Sequence, residues 1–358
     1  MFKRAFATQA TKQKIILSGI QPTGSPHLGN YLGALNNWSK LQEQKDTLNY
    51  YMVVDLHAIT MPQDPKVLRQ SKHDMAAALL ACGIDPERSV LFEQSKVRGH
   101  AELAWIFNCL TPVGWLGRMT QWKSKMDKTI TTSHAQVLMD TTTSTSSLKM
   151  GLFDYPVLQA ADILIYKATH VPVGDDQLQH LELARDIAKL FNSTYKQNYF
   201  IKPEVITPPS TKRVMSLREP TNKMSKSDPS DASRINLFDP PKLIQQKIRK
   251  AVTDSQRDIS FDPQSRPGVS NLINIYSAIR DISIEHALED LKQANSSQQL
   301  KEMISDAIIT RIEPIQKEYV KLQADPIYVQ QILKKGAEKA QVAASQTMDQ
   351  VYKIIGFN

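Results

Sequence analysis

In the first hundred residues, short apolar runs alternate with stretches of helical periodicity. No other feature of the chain limits the fold so strongly. Lys14 to Ser18 is a short buried strand that stops at Gly19, and a turn rich in Gly and Pro follows it. Leu28, Tyr31, Leu35, Trp38 and Leu41 then recur at the spacing of an amphipathic helix. Tyr50 to Val54 forms a second strand, a helix runs from about Pro65 to a C′ glycine at Gly83, and Ser89 to Phe92 forms a third strand. Strands that alternate with helices predict an α/β fold with a Rossmann-like parallel sheet and right-handed crossovers. Ligands on such a sheet lie beyond the carboxyl ends of the strands, which is where the Gly19–Asn30 turn falls.

The pattern breaks after Lys125. Residues 141–147 are all Thr or Ser, and 126–149 are expected to form an insertion loop. Helical spacing returns at Tyr155–Lys167. A short strand follows from His170 to Val173, and Leu178, Leu181, Leu183, Ile187 and Leu190 mark another helix. Residues 202–232, rich in Pro, Ser and Lys, are expected to be loop. From Pro240 onward the chain is mostly helical. There Leu243, Ile244, Ile248 and Val252 form an apolar stripe, while Lys242, Lys247, Arg249 and Lys250 are candidates for a basic face.

The 358 residues carry a net charge of +8, a balance that suits a polyanionic partner without proving one. The two cysteines, Cys82 and Cys109, lie in no zinc or disulfide pattern, and no apolar run reaches the roughly 20 residues that span a bilayer. The first acidic residue is Glu43. Residues 1–13 are basic and rich in Ala and Thr, the character of a mitochondrial transit segment, although a plain basic tail would look similar. Removal of that segment takes away Lys3, Arg4 and Lys12 and leaves +5.

The usual nucleotide motifs, Gly-x-Gly-x-x-Gly and Gly-x-x-x-x-Gly-Lys-Ser/Thr, are absent. The Gly19–Asn30 segment offers another route. Its glycines allow close backbone approach, and a helix N-terminus follows it. His27 and Asn30 can donate to phosphate oxygens. A strand–turn–helix junction needs Gly and Pro in any case, so this segment alone decides little. Lys223-Met224-Ser225-Lys226-Ser227 is sharper, because two lysines and two serines can surround a polyphosphate and offset charge that develops there. By itself it would also pass for a solvated surface segment.

Together, in this order, the two segments resemble the HIGH and KMSKS signatures of class I aminoacyl-tRNA synthetases. Val54 to Thr60, Tyr155 to Leu164, Val171 to Gln177 and Ala251 to Ser255 are similar to the tryptophanyl branch of that family. With the basic start, the resemblance points to its mitochondrial form. There are two departures. Asn30 stands where the signature is often written with a second histidine, and Gly29-Asn30 is common in this branch. Gln159 stands where many bacterial relatives have Met.

The resemblance implies an ATP site of Gln21, Gly29, Asn30, Gly174, Asp175, Asp176, Val214 and the segment Lys223, Met224, Ser225, Lys226 and Ser227. Asp175 and Asp176 would accept from ribose hydroxyls or help to hold magnesium. Lys223, Ser225, Lys226, Lys125 and His27 are the implied catalytic residues, with Lys123 competing with Lys125. ATP acts as a substrate with Mg2+, and no protein-bound metal is expected. Asp162 sits in an otherwise apolar helix, and a buried carboxylate needs a partner. A structural salt bridge would satisfy it. By resemblance it accepts the indole N–H of tryptophan, with Tyr155, Gln159, His57 and Gln177 completing the pocket.

The implied organisation is a transit segment at 1–13, a catalytic domain at 14–215, the signature loop at 216–235 and a helical anticodon-binding region at 236–358. The last helix is expected to pack back on the catalytic domain. Implied partners are tRNA(Trp), L-tryptophan, ATP and a second copy of the chain, in the mitochondrial matrix and without a membrane anchor. A tyrosyl-tRNA synthetase, a small-molecule nucleotidyltransferase and a non-catalytic RNA-binding descendant are the rivals.

Overall fold

Each apolar run of the first hundred residues becomes a strand of one parallel sheet. The computed structural model describes residues 13–119, 149–174, 177–206, 213–226, 228–256 and 258–358. Lys123, Lys125, Asp175, Asp176, Ser227, residues 1–12 of the transit segment and 126–148 of the insertion lie outside them. Five strands are ordered β3-β2-β1-β4-β5: β1 Lys14–Ile20, β2 Thr47–Val53, β3 Ser89–Glu93, β4 His170–Pro172 and β5 Glu204–Ile206. All pairings are parallel, with Ser18 opposite Tyr51 and Ile16 opposite His170. The order reverses between β1 and β4, and this places a crevice at their carboxyl ends.

Period-two alternation explains why the strands read as continuous apolar runs. Tyr51, Val53 and Leu91 enter the core on one face, and Tyr50, Met52, Val90 and Phe92 enter the core on the other. On the first face lies the segment after the turn: α1 (Leu28–Asn30), a π-helical stretch (Tyr31–Leu35) and α2 (Asn36–Leu41). Sequence spacing predicts one regular helix here, and the wider π turn falls at Tyr31–Leu35. Trp38 stacks on Tyr51 with ring centroids 5.1 Å apart, and the Tyr51 hydroxyl donates to the Trp38 carbonyl.

The short helix α3 (Asp55–Ala58) follows β2, and α4 (Pro65–Ala81) closes the second crossover, from β2 to β3, with Asp64 as its N-cap. α5 (Gly99–Asn108), α6 (Val113–Gly117), α7 (Met150–Ile165) and α8 (Leu178–Thr194) supply the second face. Neither α5 nor α6 is anticipated from sequence. β5 falls inside the stretch expected to be loop. It is only three residues long, none fully buried, so it shows no apolar run.

The C-terminal helices are α9 (Pro241–Arg249), α10 (Pro267–Arg280), α11 (Ile284–Leu291), α12 (Ser297–Ala324) and α13 (Pro326–Ile355). Ile244, Leu272 and Ile308 share one core with Leu28 and Tyr31. Val252 is exposed instead and does not extend the stripe. Lys247 does not belong to a basic face. It is buried, with its ammonium 2.6 Å from both Asp231 and Asp239, because a buried cation must be paired. α13 straddles the edge of the sheet. Val329 and Leu333 join the first core, and Ala340 and Met348 join the second.

Candidate active site

A cavity of about 500 Å³ opens at the β1/β4 switch point. Gln21, Asn30 and Gly174 line it, as do the five residues expected around the amino acid: His57, Tyr155, Gln159, Asp162 and Gln177. β1 delivers Gln21, α3 delivers His57 and α7 delivers the Tyr155–Asp162 face, so three separate elements converge on one space.

Asp162 is 1% exposed and fully engaged. Its Oδ1 accepts from His100 Nδ1 at 2.7 Å and Gln94 Nε2 at 2.8 Å, and its Oδ2 accepts from His57 Nε2 at 2.8 Å and Gln94 Nε2 at 2.9 Å. Burial alone would raise the carboxyl's pKa. The bonds from His100 and His57 outweigh it and hold Asp162 below the usual carboxylate range. The reading of Asp162 as a carboxylate paired inside the protein is met, and the same carboxylate lines the cavity. Gln94 and His100 are absent from the sequence-based site. Each is a polar residue in an apolar setting, one just after β3 and one in the first turn of α5, and that is the only signal they give.

Gln159 is held on both sides. Its Nε2 donates to Gln177 Oε1 at 3.2 Å, and its Oε1 lies 2.9 Å from Nδ1 of the buried His180. His180 Nε2 is in turn 3.4 Å from the Tyr155 hydroxyl. His180 thus ties Gln159 to Tyr155, two residues of the expected pocket, and sequence reasoning misses it too.

The two signature segments touch. Leu28 N–H donates to the Ile235 carbonyl, and Leu237 N–H donates to the Pro26 carbonyl. Lys226 Nζ donates to the carbonyls of Thr23 at 2.8 Å and Gly24 at 3.2 Å. Burial lowers the Lys226 pKa from its ordinary value to about 8, because the neutral carbonyls offset only part of the lost hydration.

His27 caps α1. Its Nδ1 accepts from Asn30 N–H at 3.3 Å, and its own N–H donates to Asn30 Oδ1 at 3.1 Å. Burial first, then the charges of Lys226, Arg234 and Lys223, push the imidazole down to about 3. At neutral pH the ring is uncharged, and since Nδ1 accepts, the hydrogen sits on Nε2. Gly29 lets the turn close on the His27 ring, because a Cβ there would lie 3.0 Å from it and the ring would have to shift.

Val214 and Met224 are buried, and Met224 N–H donates to the Val214 carbonyl. Together with the Met215–Lys223 bridge, this pairing anchors the second signature through its apolar residue and leaves the neighbouring lysines toward the turn. Neither His27, Gly29, Val214 nor the Lys223–Lys226 segment lines the cavity itself. Among the described residues, no group of three His, Cys, Asp or Glu side chains could hold a metal ion, and no helix is long and apolar enough to cross a membrane.

A family model described as tRNA synthetases class I (W and Y) matches residues 9–313. The tryptophan--tRNA ligase of Rickettsia conorii is 46% identical over 345 residues, 96% of this chain and 99% of that one. The mitochondrial tryptophan--tRNA ligase of Saccharomyces cerevisiae is 46% identical over 346 residues, covering 96% and 90%. The crystal structure of tryptophanyl-tRNA synthetase from Campylobacter jejuni, complexed with ADP and tryptophan, superposes with a TM-score of 0.77 at 32% identity, over 96% of this chain and 99% of that one. With the parallel sheet, the switch-point cavity and the touching signatures, these matches show that the chain belongs to the class I tRNA synthetases of the W and Y family.

Proposed function

We propose that the chain is a tryptophan–tRNA ligase that works in two steps. The tryptophan carboxylate attacks the α-phosphorus of ATP, its oxygen forms the new P–O bond, and pyrophosphate leaves. The terminal ribose hydroxyl of tRNA(Trp) then takes the acyl group from the adenylate and releases AMP. No side chain becomes covalently attached, so the protein acts by positioning and by charge stabilisation. The observation that carries this reading is the contact of Lys226 with Thr23 and Gly24 beside a cavity that Gln21, Asn30 and Asp162 share.

Asp162 orients the indole, with Tyr155, Gln159, His57 and Gln177 around it. Gln21, Gly29, Asn30, Gly174 and Val214 receive the nucleotide, and Asp175 and Asp176 complete that set. Lys223, Ser225, Lys226 and Ser227 counter the charge that develops on the phosphates, as does Lys125. Neutral His27 offers its Nε2–H. Mg2+ would arrive with the phosphates of ATP and neutralise part of their charge.

The enzyme is a homodimer. Trp105, Val113 and Met150 are each at least 70% exposed, on α5 and α6, which both pack on α7, and on α7 itself, and large apolar side chains in that number favour a partner surface. The helices of 236–358 read the anticodon. The basic, acid-free start supports a place in the mitochondrial matrix. The yeast mitochondrial relative agrees with that, although the bacterial relative is equally close.

Amino-acid-dependent ATP–pyrophosphate exchange tests the reading. Exchange should run with tryptophan and not with tyrosine. Lys223→Ala with Lys226→Ala should slow it by at least about a hundredfold, the scale of losing transition-state charge stabilisation, while tryptophan still binds. Exchange with tyrosine, or unchanged exchange in the double variant, would overturn the assignment.

A further inference from the structure

The two oxygens of Asp162 are not held alike, and the difference lies behind the cavity wall. Asp162 and His57 line the cavity, whereas Gln94, His100 and Tyr166 do not. On the hidden side, His100 bridges the carboxylate and a phenol. Its Nδ1 is 2.7 Å from Asp162 Oδ1, and its Nε2 is 2.8 Å from the Tyr166 hydroxyl. An ionised carboxylate only accepts, so Nδ1 carries the hydrogen, while Nε2 is held by the Tyr166 hydroxyl. Tyr166 is itself fixed. It stacks on Tyr50 with ring centroids 4.4 Å apart and meets Phe92 edge-on. Gln94 is oriented in the same way, because its Oε1 accepts from Leu56 N–H and its amide nitrogen must therefore face Asp162.

A carboxylate has about four lone-pair sites. Two on Oδ1 are taken by groups behind the wall. On Oδ2 one is shared with Gln94, and the other meets His57 on the cavity side, so an N–H donor in the cavity would take that last site over from His57. Rotation of the carboxylate would break all these bonds together. We infer that His100 and Tyr166 are positioning residues that lock the rotation of Asp162, present Oδ2 to the cavity and thereby set the discrimination for an N–H donor on the bound amino acid. This rests on the proposed role of Asp162 toward the indole.

Loss of the Tyr166 hydroxyl leaves His100 Nε2 without its partner. The ring then loses the bond that fixes its tilt, and the Nδ1–H bond to Oδ1, and with it the setting of the carboxylate, loosens.

The test compares tryptophan with the isosteric amino acid in which sulfur replaces the indole N–H. Tyr166→Phe should raise KM for tryptophan about tenfold, the scale of one lost buried hydrogen bond, with the isostere and ATP changed less than about twofold. His100→Ala should do the same. His100→Asn, which can place an amide donor near the Nδ1 position, should restore most of the preference. Thermal melting of each variant monitors folding, and Tyr166→Phe decides if His100→Ala does not fold.

Unchanged discrimination in folded Tyr166→Phe would overturn the inference. So would equal losses for tryptophan, the isostere and ATP, because that is the signature of a purely structural role. Asp162→Ala, which leaves no acceptor, separates the two levels. If it abolishes discrimination and the His100 and Tyr166 variants do not, only this inference falls. If it leaves discrimination intact, the role of Asp162 falls and takes the inference with it.

Discussion

Lys226 is costly to desolvate and is half-buried all the same, with its ammonium on two carbonyls of the other signature turn. Such a lysine is suited to phosphate oxygens, which would replace weak neutral acceptors with charged ones. Its lowered pKa gives a direction in pH. The cation is present below about 8 and is lost as pH rises through that value. The free-enzyme profile should follow, so kcat/KM for ATP in pyrophosphate exchange should fall about tenfold per pH unit above pH 8. In the residual activity of Lys226→Arg that alkaline fall should be missing, since arginine keeps its charge. Lys226, Asp162, Gln21, Asn30, His57 and Tyr155 stood out because they sit in compact sequence patterns. Gln94 and His100 did not, since they lie 68 and 62 positions from Asp162 and meet it only after the sheet has formed. Lys247 misled for the opposite reason. Its neighbours in sequence are exposed and basic, while its partners Asp231 and Asp239 come from another segment.

Elements were legible where burial on two faces left an apolar run, as in β1, β2 and β3, or where spacing was regular, as in α4 and α8. They were not where tertiary contact replaced local signal, as in the three residues of β5 or the π turn at Tyr31–Leu35. The contact of α13 with β3 is the least visible from sequence. It depends on Gly336, where an added Cβ would lie 1.8 Å from the Leu91 carbonyl oxygen. Backbone on both sides leaves nothing flexible to yield. Gly336→Ala should therefore destabilise the fold by about 3 kcal/mol, at the upper end of overpacking costs, as read from the urea unfolding midpoint. An unchanged midpoint would mean that α13 does not seat on β3 as described.

At the scale of the whole molecule, one core joins the turn-and-helix segment to the C-terminal helices, with Arg311 donating to the Tyr31 hydroxyl across that junction. Movement of the C-terminal helices would therefore be felt at the turn before α1. The second face of the sheet ends in exposed Trp105, Val113 and Met150. Trp105→Glu with Met150→Glu should weaken self-association at least about a hundredfold, because buried apolar area would be replaced by charge, and sedimentation velocity would show monomers at micromolar concentration. A dimer that survives both changes would place the interface elsewhere. The most direct test of the account is aminoacylation of mitochondrial tRNA with labelled tryptophan or tyrosine in the presence of ATP. The account predicts acid-precipitable tryptophan on tRNA(Trp), no tyrosine, and loss of charging in Lys223→Ala with Lys226→Ala. Tyrosine on tRNA, or tryptophan charging that survives the double variant, would contradict it.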